Sequence, residues 1–227
     1  MACRGALAAQ YRATQPCHAA LFGSVPVMKL TFANLKGGVA KSTSSIYVAL
    51  ALARRGDTVL LVDADDTNRT CLKWKALAGD WPPTVHVPGW EVPDLARSVQ
   101  AVEHLFDHTV IDTGPQKPAI LKQALLVSQD MIIPVAPSPV ELEQLPDTFA
   151  LAAEVDAISP VFARVLLVKV RRGTRSAIEA RDWLTTRSLP VMDAEVHHWE
   201  QYSLSYGTVP PDLAEYADVL AELNGGS

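Results

Sequence analysis

Short apolar runs alternate along the chain with longer stretches in which apolar residues recur every three or four positions. Runs that are apolar at consecutive positions are typical of strands buried on both faces, as in parallel sheets. They predict strands over 28–33, 58–62, 84–87, 108–111, 130–135, 162–168 and 190–196. The periodic stretches predict helices over 42–55, 68–78, 92–105, 117–127, 139–157, 174–187 and 212–223. This alternation predicts a doubly wound α/β fold, a mostly parallel sheet with helices on both faces.

The first 27 residues lack this pattern. They contain no acidic residue, and polar residues interrupt every apolar run that could serve as the core of a signal peptide. A transit peptide is a weaker alternative, because Arg4 and Arg12 are the only charged side chains. Met28 directly precedes the first predicted strand. We therefore expect Met28 to be the true start, residues 1–27 to be a non-native or disordered extension, and residues 28–227 to form one domain.

The composition is that of one soluble domain, with 48% hydrophobic and 20% charged residues and a net charge of −5 over 227 residues. This charge excludes a wholly basic nucleic-acid-binding surface but allows a local basic patch. The three cysteines lack the paired spacing of a disulfide framework or a Cys-x-x-Cys site. No apolar run is long enough to span a bilayer. We expect a cytoplasmic protein.

A glycine-bearing turn follows the first predicted strand and leads into a helix, with the sequence Asn-Leu-Lys-Gly-Gly-Val-Ala-Lys-Ser-Thr at 34–43. Backbone N–H groups in such a turn bind phosphate together with the helix dipole. Lys41 is expected to reach the outer phosphates, and the Ser42 hydroxyl to ligate Mg²⁺. Leu35 and Ala40 stand at the two glycine positions of the standard G-x-x-x-x-G-K-[ST] motif. The predicted nucleotide-binding residues in this turn are Lys36, Gly37, Gly38, Val39, Ala40, Lys41, Ser42 and Thr43.

Acidic residues follow two other predicted strands: Asp63 and Asp65 after the second, and Asp112 after the strand 108–111. Carboxylates at the carboxyl end of a strand can hold a metal-bound water or orient an attacking water. An apolar strand that closes on one aspartate is typical of a Walker B motif, in which Asp112 accepts from a water bound to Mg²⁺. Residues 66–68 are also interpreted as a polar cap for the following helix, and both interpretations can hold.

Three prolines within 134–139 predict a rigid extended loop after the fifth strand. A stiff apolar loop is suited to form one wall of a site for a flat base. Pro137 is the candidate residue for that wall.

Residues 164–187, the basic segment, contain seven basic and two acidic residues, whereas the rest of the chain carries a net charge of −10. Such separation favours a patch that binds DNA phosphates without sequence preference. The alternative is a solvated helix face. The candidate DNA contacts are Arg171, Arg172, Arg175 and Arg181. Residues 212–227 contain no lysine or arginine, which argues against docking to a membrane by a basic amphipathic helix.

The Lys-Gly-Gly-x-x-Lys-Ser spacing at 36–42 resembles the deviant Walker A motif of the ParA/MinD family of P-loop ATPases, and the short, ParF-like partition proteins most. The resemblance implies a three-layer P-loop NTPase fold with ATP and Mg²⁺ as cofactors. It implies that Lys36 reaches into the site of a partner subunit and that the loop at Pro137 helps to hold adenine. It further implies that Asp65 positions the attacking water, that Asp63 lies beside the Mg²⁺, and that the metal contacts are Ser42, Asp65 and Asp112.

The same resemblance implies a partition function. An ATP-bound homodimer would bind non-specific DNA, a ParB-like partner would stimulate hydrolysis, and the protein would position plasmid or chromosomal cargo over the nucleoid. Two alternatives stay open. One is an ATP-dependent ligase of the dethiobiotin-synthetase kind, against which Lys36 and the basic segment argue. The other is a low-turnover nucleotide-binding regulator, which is compatible with Ala40 at a position where the family usually has glycine.

Overall fold

A seven-stranded sheet runs through the computed structural model, which describes residues 27–90 and 94–225. The predicted extension lies outside the described residues, apart from Val27. The strands are β1 (Lys29–Phe32), β2 (Val59–Ala64), β3 (Val85–His86), β4 (His108–Thr113), β5 (Asp130–Val135), β6 (Phe162–Val170) and β7 (Val191–His197). Their order is β3-β2-β4-β1-β5-β6-β7, and every pair is parallel. The predicted fold class is confirmed.

Helices connect the strands on both faces of the sheet. They are α1 (Lys41–Arg54), α2 (Thr70–Leu77), α3 (Leu95–Val102), α4 (Pro118–Leu125), α5 (Pro139–Leu142), α6 (Leu145–Asp156), α7 (Arg175–Thr186), α8 (Glu200–Leu204) and α9 (Tyr216–Leu223), with a 3₁₀ turn at Glu103–Leu105. The predicted helix 92–105 corresponds to α3 and the 3₁₀ turn, and its first two residues lie outside the described part of the chain.

Two helix predictions are wrong in extent, and one helix was missed. The stretch 139–157 is not one helix but α5 and α6, because Pro146 has no N–H group to continue the first helix and instead sits in the opening turn of the second. The stretch 212–223 becomes helical only at Tyr216. Helix α8 has five residues, too few to show an apolar period.

Helix α1 is buried along most of its length because it lies against the sheet and is covered by α9. The Tyr216 hydroxyl is 2.8 Å from the Ser44 hydroxyl, which ties the C-terminal helix to the first turns of α1. Tyr47 packs edge-on against Trp74 of α2, with ring centroids 6.5 Å apart. The N-terminal end of α1 is therefore fixed from the sheet, from α2 and from the C-terminal helix.

The carboxyl ends of β1, β2 and β4 meet at one edge of the sheet, where doubly wound folds place their ligands. In the strand register Asp112 is opposite both Phe32 of β1 and Asp63 of β2. The loop after β1 and the carboxylates after β2 and β4 are thereby brought side by side. In the parts of the chain that the structure describes, none of the helices has the length and apolar character needed to cross a membrane.

Candidate functional site

The side chain of Asn34 holds the loop between β1 and α1 (residues 33–40, the phosphate loop) by two hydrogen bonds. Its amide donates to the Pro134 carbonyl at 2.9 Å, and its carbonyl oxygen accepts the Lys36 N–H at 2.9 Å. Gly38 has a φ of 75°, a left-handed conformation that glycine adopts without a steric cost. The loop then enters α1 at Lys41, so its N–H groups and the helix N-terminus are suited to bind one anionic group.

Ala40 adopts the same left-handed conformation, with φ 62° and ψ 24°, at the residue that caps α1. An L-residue with a Cβ is strained there by about 1–2 kcal/mol, which glycine avoids. The sequence departs from glycine at this position, and the backbone nonetheless adopts the geometry that favours glycine.

Replacing Ala40 with glycine should raise the free energy of unfolding. Relief of the left-handed strain outweighs the greater freedom that glycine gives the unfolded chain, leaving about 0.5–1 kcal/mol. In a domain of this size that corresponds to roughly 1–3 °C in Tm, measurable by differential scanning calorimetry. Ala214, at φ 45° and remote in sequence from the loop, is the matched control. If Ala214→Gly stabilises the protein and Ala40→Gly does not, the loop is not strained at Ala40.

Lys41 lies inside the phosphate loop, and 6% of the residue is exposed. Its Nζ donates to the Lys36 carbonyl at 2.8 Å. Burial lowers the pKa of Lys41, whereas the nearby carboxylates of Asp112 and Asp65 raise it and so favour the charged form. The ammonium group is placed to bind phosphate oxygens above the loop.

Lys36 lies on the outer edge of the phosphate loop. Its Nζ is 3.4 Å from Glu141 Oε1, and the two side chains are 28% and 19% exposed. Glu141 also accepts the Ala136 N–H at 2.9 Å, which joins the lysine to the proline-rich loop. The structure therefore brings Lys36 and the loop of Pro137 together through Glu141, at the rim of the site.

Asp112 lies beneath the first turn of α1 and is fully buried. Burial raises its pKa to about 7, a shift that a hydrogen bond from Ser42 opposes. The Ser45 hydroxyl and the Cys71 thiol lie 3.4 and 3.3 Å from its two oxygens. A buried carboxylate beside a serine hydroxyl is the kind of oxygen site that suits Mg²⁺.

This donor set fits a magnesium ion that is shared with a nucleotide. Among the described residues no group of three or more His, Cys, Asp or Glu side chains could hold a metal without help. Mg²⁺ is typically bound by one or two protein ligands together with water and substrate phosphates, which matches Ser42 and Asp112. The structure brings these two predicted metal contacts together.

The carboxylate of Asp63 is directed to the backbone. Its Oδ1 accepts the Asp65 N–H at 3.2 Å, and its Oδ2 accepts the Leu72 N–H at 3.0 Å. Burial raises the pKa of Asp63, and these two hydrogen bonds partly offset that rise. The Asp63 side chain thus links the loop after β2 to the start of α2.

Asp65 lies on the wall of the cavity above the phosphate loop. Its Oδ1 accepts the N–H groups of Thr67 and Asn68 at 3.0 and 3.2 Å, and its Oδ2 accepts the Asn68 side-chain amide at 2.9 Å. A Cβ added to Gly114 would come within 2.9 Å of Asp65 Oδ1. Asn68 therefore holds this carboxylate in position and Gly114 leaves the room that it needs, and sequence reasoning assigned neither of them that role.

A cavity of about 420 Å³ opens from the phosphate loop towards the C-terminal part of the chain. Residues 37–43 line one end. The other end, here called the C-terminal wall, is formed by Val196, His197, His198, Trp199, Tyr202, Ser203 and Tyr206. Pro137 does not line this cavity. Sequence reasoning missed the aromatic residues of this wall because no local pattern joins them.

Glu215 organises the C-terminal wall. Its Oε1 accepts the Trp199 indole N–H at 2.6 Å and lies 2.9 Å from His197 Nδ1, and its Oε2 accepts the Tyr202 hydroxyl. Burial would raise the pKa of Glu215, but these hydrogen bonds outweigh burial and lower it. One carboxylate thus holds three side chains of the wall in place. Lys169, at the end of β6, reaches the phosphate loop from the same side and donates to the Gly38 carbonyl at 2.7 Å.

The four arginines predicted to bind DNA differ in their surroundings. Arg181 is bound to Glu195 at 2.6 Å and to the Met192 carbonyl at 3.1 Å, so it holds α7 against β7. Arg175 is highly exposed and pairs with Glu179 one turn later. Arg172 is exposed, and its Nε is 3.2 Å from His197 Nε2. Arg171 is exposed and has no side-chain hydrogen bond or ion pair within the described residues.

Three features together define a P-loop ATPase of the ParA/MinD family. A phosphate loop follows the central strand of a parallel sheet, a buried carboxylate lies near the end of β4, and a second lysine lies at the loop. The family model of the VirC1 protein matches residues 27–205. The chain belongs to the VirC1 family.

Known relatives agree with this assignment. The protein virC1 of Rhizobium radiobacter is 28% identical over 182 residues, which cover 77% of this chain and 78% of the relative. The maintenance of carboxysome distribution protein A of Gloeobacter kilaueensis is 30% identical over 171 residues, which cover 74% and 76%.

Solved structures share the fold. A plasmid partition protein of Borrelia burgdorferi bound to AMPPNP has a TM-score of 0.68 at 18% identity and covers 88% of this chain and 100% of its own. The ATP complex of a Cyanothece McdA variant has a TM-score of 0.69 at 16% identity and covers 90% and 98%.

Proposed function

We propose that this protein is a Mg²⁺-dependent ATPase that dimerises on ATP, binds DNA without sequence preference and positions a cargo. The observation that carries the proposal is Lys36, a second lysine held at the rim of an otherwise complete phosphate loop. A loop that only binds nucleotide needs Lys41 alone. A lysine outside the cavity lining is suited to act on a phosphate group that another subunit brings to the rim.

The binding step uses groups that are already in place. The N–H groups of the phosphate loop and the Lys41 ammonium bind the phosphates of ATP, and Ser42, Asp112 and Asp65 are the residues that would hold Mg²⁺. A bound Mg²⁺ ion neutralises charge that builds up on the β- and γ-phosphates during transfer. The C-terminal wall receives the base, because it closes the cavity at the end opposite the phosphate loop.

Hydrolysis is assigned to Asp65. Its carboxylate is on the cavity wall and could orient a water for attack on the terminal phosphate. Both of its oxygens accept hydrogen bonds from residues 67–68. Oδ1 accepts two of these hydrogen bonds and Oδ2 only one, so Oδ2 can still accept a hydrogen bond from a water. A partner protein that shifts the loop after β2 would change how this carboxylate is directed and could thereby accelerate hydrolysis.

Dimerisation is assigned to the rim. Lys36 pairs with Glu141 in the single subunit, and the pair is partly exposed. Partly exposed ion pairs contribute little to stability, so a phosphate group of a partner subunit can replace Glu141 at low cost. Two subunits that face each other across their nucleotides would each supply one Lys36 to the other.

DNA binding is assigned to the basic segment. Arg171 and Arg172 are exposed at the end of β6, and Arg175 is exposed at the start of α7. A dimer presents this segment twice, and two weak sites on one particle bind far more tightly than one. Arg181 is the least available of the four because Glu195 neutralises it.

The known relatives support a positioning role. One relative maintains carboxysome distribution, and solved structures of the same fold include plasmid partition proteins. The fold alone does not decide the matter, since a cobyrinic acid a,c-diamide synthase of Mycobacterium smegmatis shares it with a TM-score of 0.65. Lys36 and the basic segment favour the partition-type ATPase over such a ligase. The cargo and a ParB-like partner follow from the family resemblance.

The test is binding to a random-sequence DNA duplex with ATP, ADP or no nucleotide. We expect binding only with ATP, and binding that weakens steeply as salt rises, because phosphate contacts release counterions. Lys36→Ala should reduce the ATP-dependent affinity at least about tenfold by removing the dimer and its avidity. Lys122→Ala is the matched control, since Lys122 pairs with Glu154 on a different part of the surface.

Sedimentation of the same samples reports dimer formation. DNA binding that is the same with ATP, with ADP and without nucleotide would contradict the proposal. The basic segment would then be interpreted as a solvated helix face. A Lys36→Ala protein that still forms an ATP-dependent dimer on DNA would contradict the role of Lys36. ATP turnover without DNA binding would favour the ligase alternative, and ATP binding without turnover the regulator.

A further inference from the structure

His197 joins two parts of the molecule with different proposed tasks. It lies on the C-terminal wall of the nucleotide cavity, and through its ring nitrogens it contacts both Glu215 and Arg172. Arg172 belongs to the basic segment. The imidazole therefore connects the cavity directly to a candidate DNA contact.

The hydrogen-bond partners of the His197 ring determine which of its two nitrogens carries the hydrogen. Arg172 Nε carries a hydrogen and can only donate, so His197 Nε2 accepts. His197 Nδ1 then carries the hydrogen and donates to the Glu215 carboxylate, at 2.9 Å. Glu215 is itself fixed by Trp199 and Tyr202, which line the same cavity. The ring is held firmly on the side of the cavity and more loosely on the side of Arg172.

We infer that His197 transmits occupancy of the cavity to Arg172: a base that packs against the C-terminal wall moves the ring and releases Arg172 towards DNA. This inference rests on the proposed function. The bond from Arg172 to His197 is 3.2 Å long, at the far end of the normal range, so a small displacement of the ring breaks it.

Such a relay obeys thermodynamic linkage. If ATP frees Arg172 for DNA, then DNA must favour the ATP-bound form by the same factor, and coupling between two sites is typically about 5–150-fold. The relay acts within one subunit, so it adds to the avidity of a dimer and does not require one.

The first experiment measures how fast a dicarbonyl reagent modifies each arginine, read by peptide mass spectrometry, at saturating ATP and without nucleotide. Arg172 should react at least about threefold faster with ATP, whereas the neighbouring Arg171, which has no bond to the ring, serves as the internal control. His197→Phe keeps a ring of similar size but removes both hydrogen bonds. In that variant Arg172 should react at the fast rate with or without ATP. His104→Phe, a matched change at an exposed histidine of the 3₁₀ turn that does not line the cavity, should keep the ATP response.

The second experiment measures DNA affinity with and without ATP in the same variants. The gain that ATP produces should shrink about fivefold or more in His197→Phe and persist in His104→Phe. The inference is overturned if saturating ATP does not change the rate at which Arg172 is modified. It is also overturned if the His197→Phe variant keeps the ATP response. If Arg172 responds to ATP through His197 but the protein never binds DNA, the relay is supported and the proposed function fails. If DNA binding depends on ATP while Arg172 does not respond, the proposed function stands and the relay fails.

Discussion

Lys41→Ala should abolish ATP binding at micromolar concentrations and reduce ATP hydrolysis by about 10²–10³-fold. The Lys41 ammonium is buried within the phosphate loop, where it donates to the Lys36 carbonyl. A charge-assisted hydrogen bond to a buried phosphate contributes about 1.5–3 kcal/mol, and every 1.4 kcal/mol corresponds to a tenfold change in affinity. Titration calorimetry with a non-hydrolysable ATP analogue measures the binding loss, and phosphate release measures the loss of turnover.

The control for Lys41→Ala has to separate lost chemistry from lost structure. Lys41 also neutralises the surroundings of Asp112, so a thermal unfolding curve is needed for the variant. Lys73→Ala changes an exposed lysine of α2 and should leave both ATP binding and turnover near the original values. Unchanged ATP affinity in a folded Lys41→Ala protein would show that the phosphates bind elsewhere.

The strands and the phosphate loop were predictable because their signals are local. Consecutive apolar residues are required wherever a strand is covered on both faces, and all seven predicted strands are present. The phosphate loop is encoded by glycine, lysine and serine at fixed offsets from a strand and a helix. Even Ala40, which breaks the standard motif, left the loop recognisable from the residues on either side of it.

The carboxylates after β2 show what a local sequence pattern cannot predict. Asp63 and Asp65 stand two residues apart at the end of one strand, and no local pattern separates their tasks. In the structure Asp63 holds the backbone of Leu72, nine residues later, while Asp65 lies on the cavity wall. The difference comes from where α2 begins, because the Leu72 N–H that Asp63 accepts lies in the first turn of that helix.

The far end of the cavity could not be predicted, because its parts come from separate elements. His197 ends β7, Tyr202 belongs to the short helix α8, and Glu215 precedes α9. Only the turn of the chain through residues 205–215 brings the carboxylate to the other two side chains. No period or motif in the sequence marks such a contact. Pro137 stays a prediction for the base, and its loop is joined to Lys36 through Glu141.

Asp65→Asn should reduce ATP hydrolysis by about 10²–10⁴-fold while ATP affinity changes less than about threefold. The carboxylate acts on the attacking water. Binding relies mainly on the phosphate loop and Lys41, with Ser42 and Asp112 as the other residues that would hold Mg²⁺, and the substitution leaves all of these intact. An amide of the same shape cannot take a proton from water or orient it as strongly. Turnover is measured by phosphate release at saturating ATP, and affinity by calorimetry with the non-hydrolysable analogue.

Under the proposed cycle the Asp65→Asn protein stays in its ATP-bound dimer, so it should remain on DNA after free ATP is removed, when the original protein dissociates. Asp66→Asn is the matched control, since Asp66 is the adjacent carboxylate, is exposed and pairs with Lys117. It should hydrolyse ATP within about threefold of the original rate, because exposed ion pairs contribute little. If Asp65→Asn hydrolyses ATP normally, another group orients the water. If the variant also loses ATP binding, Asp65 is needed to bind ATP and not only to hydrolyse it. Its main task is then to hold the loop through its three hydrogen bonds to residues 67–68.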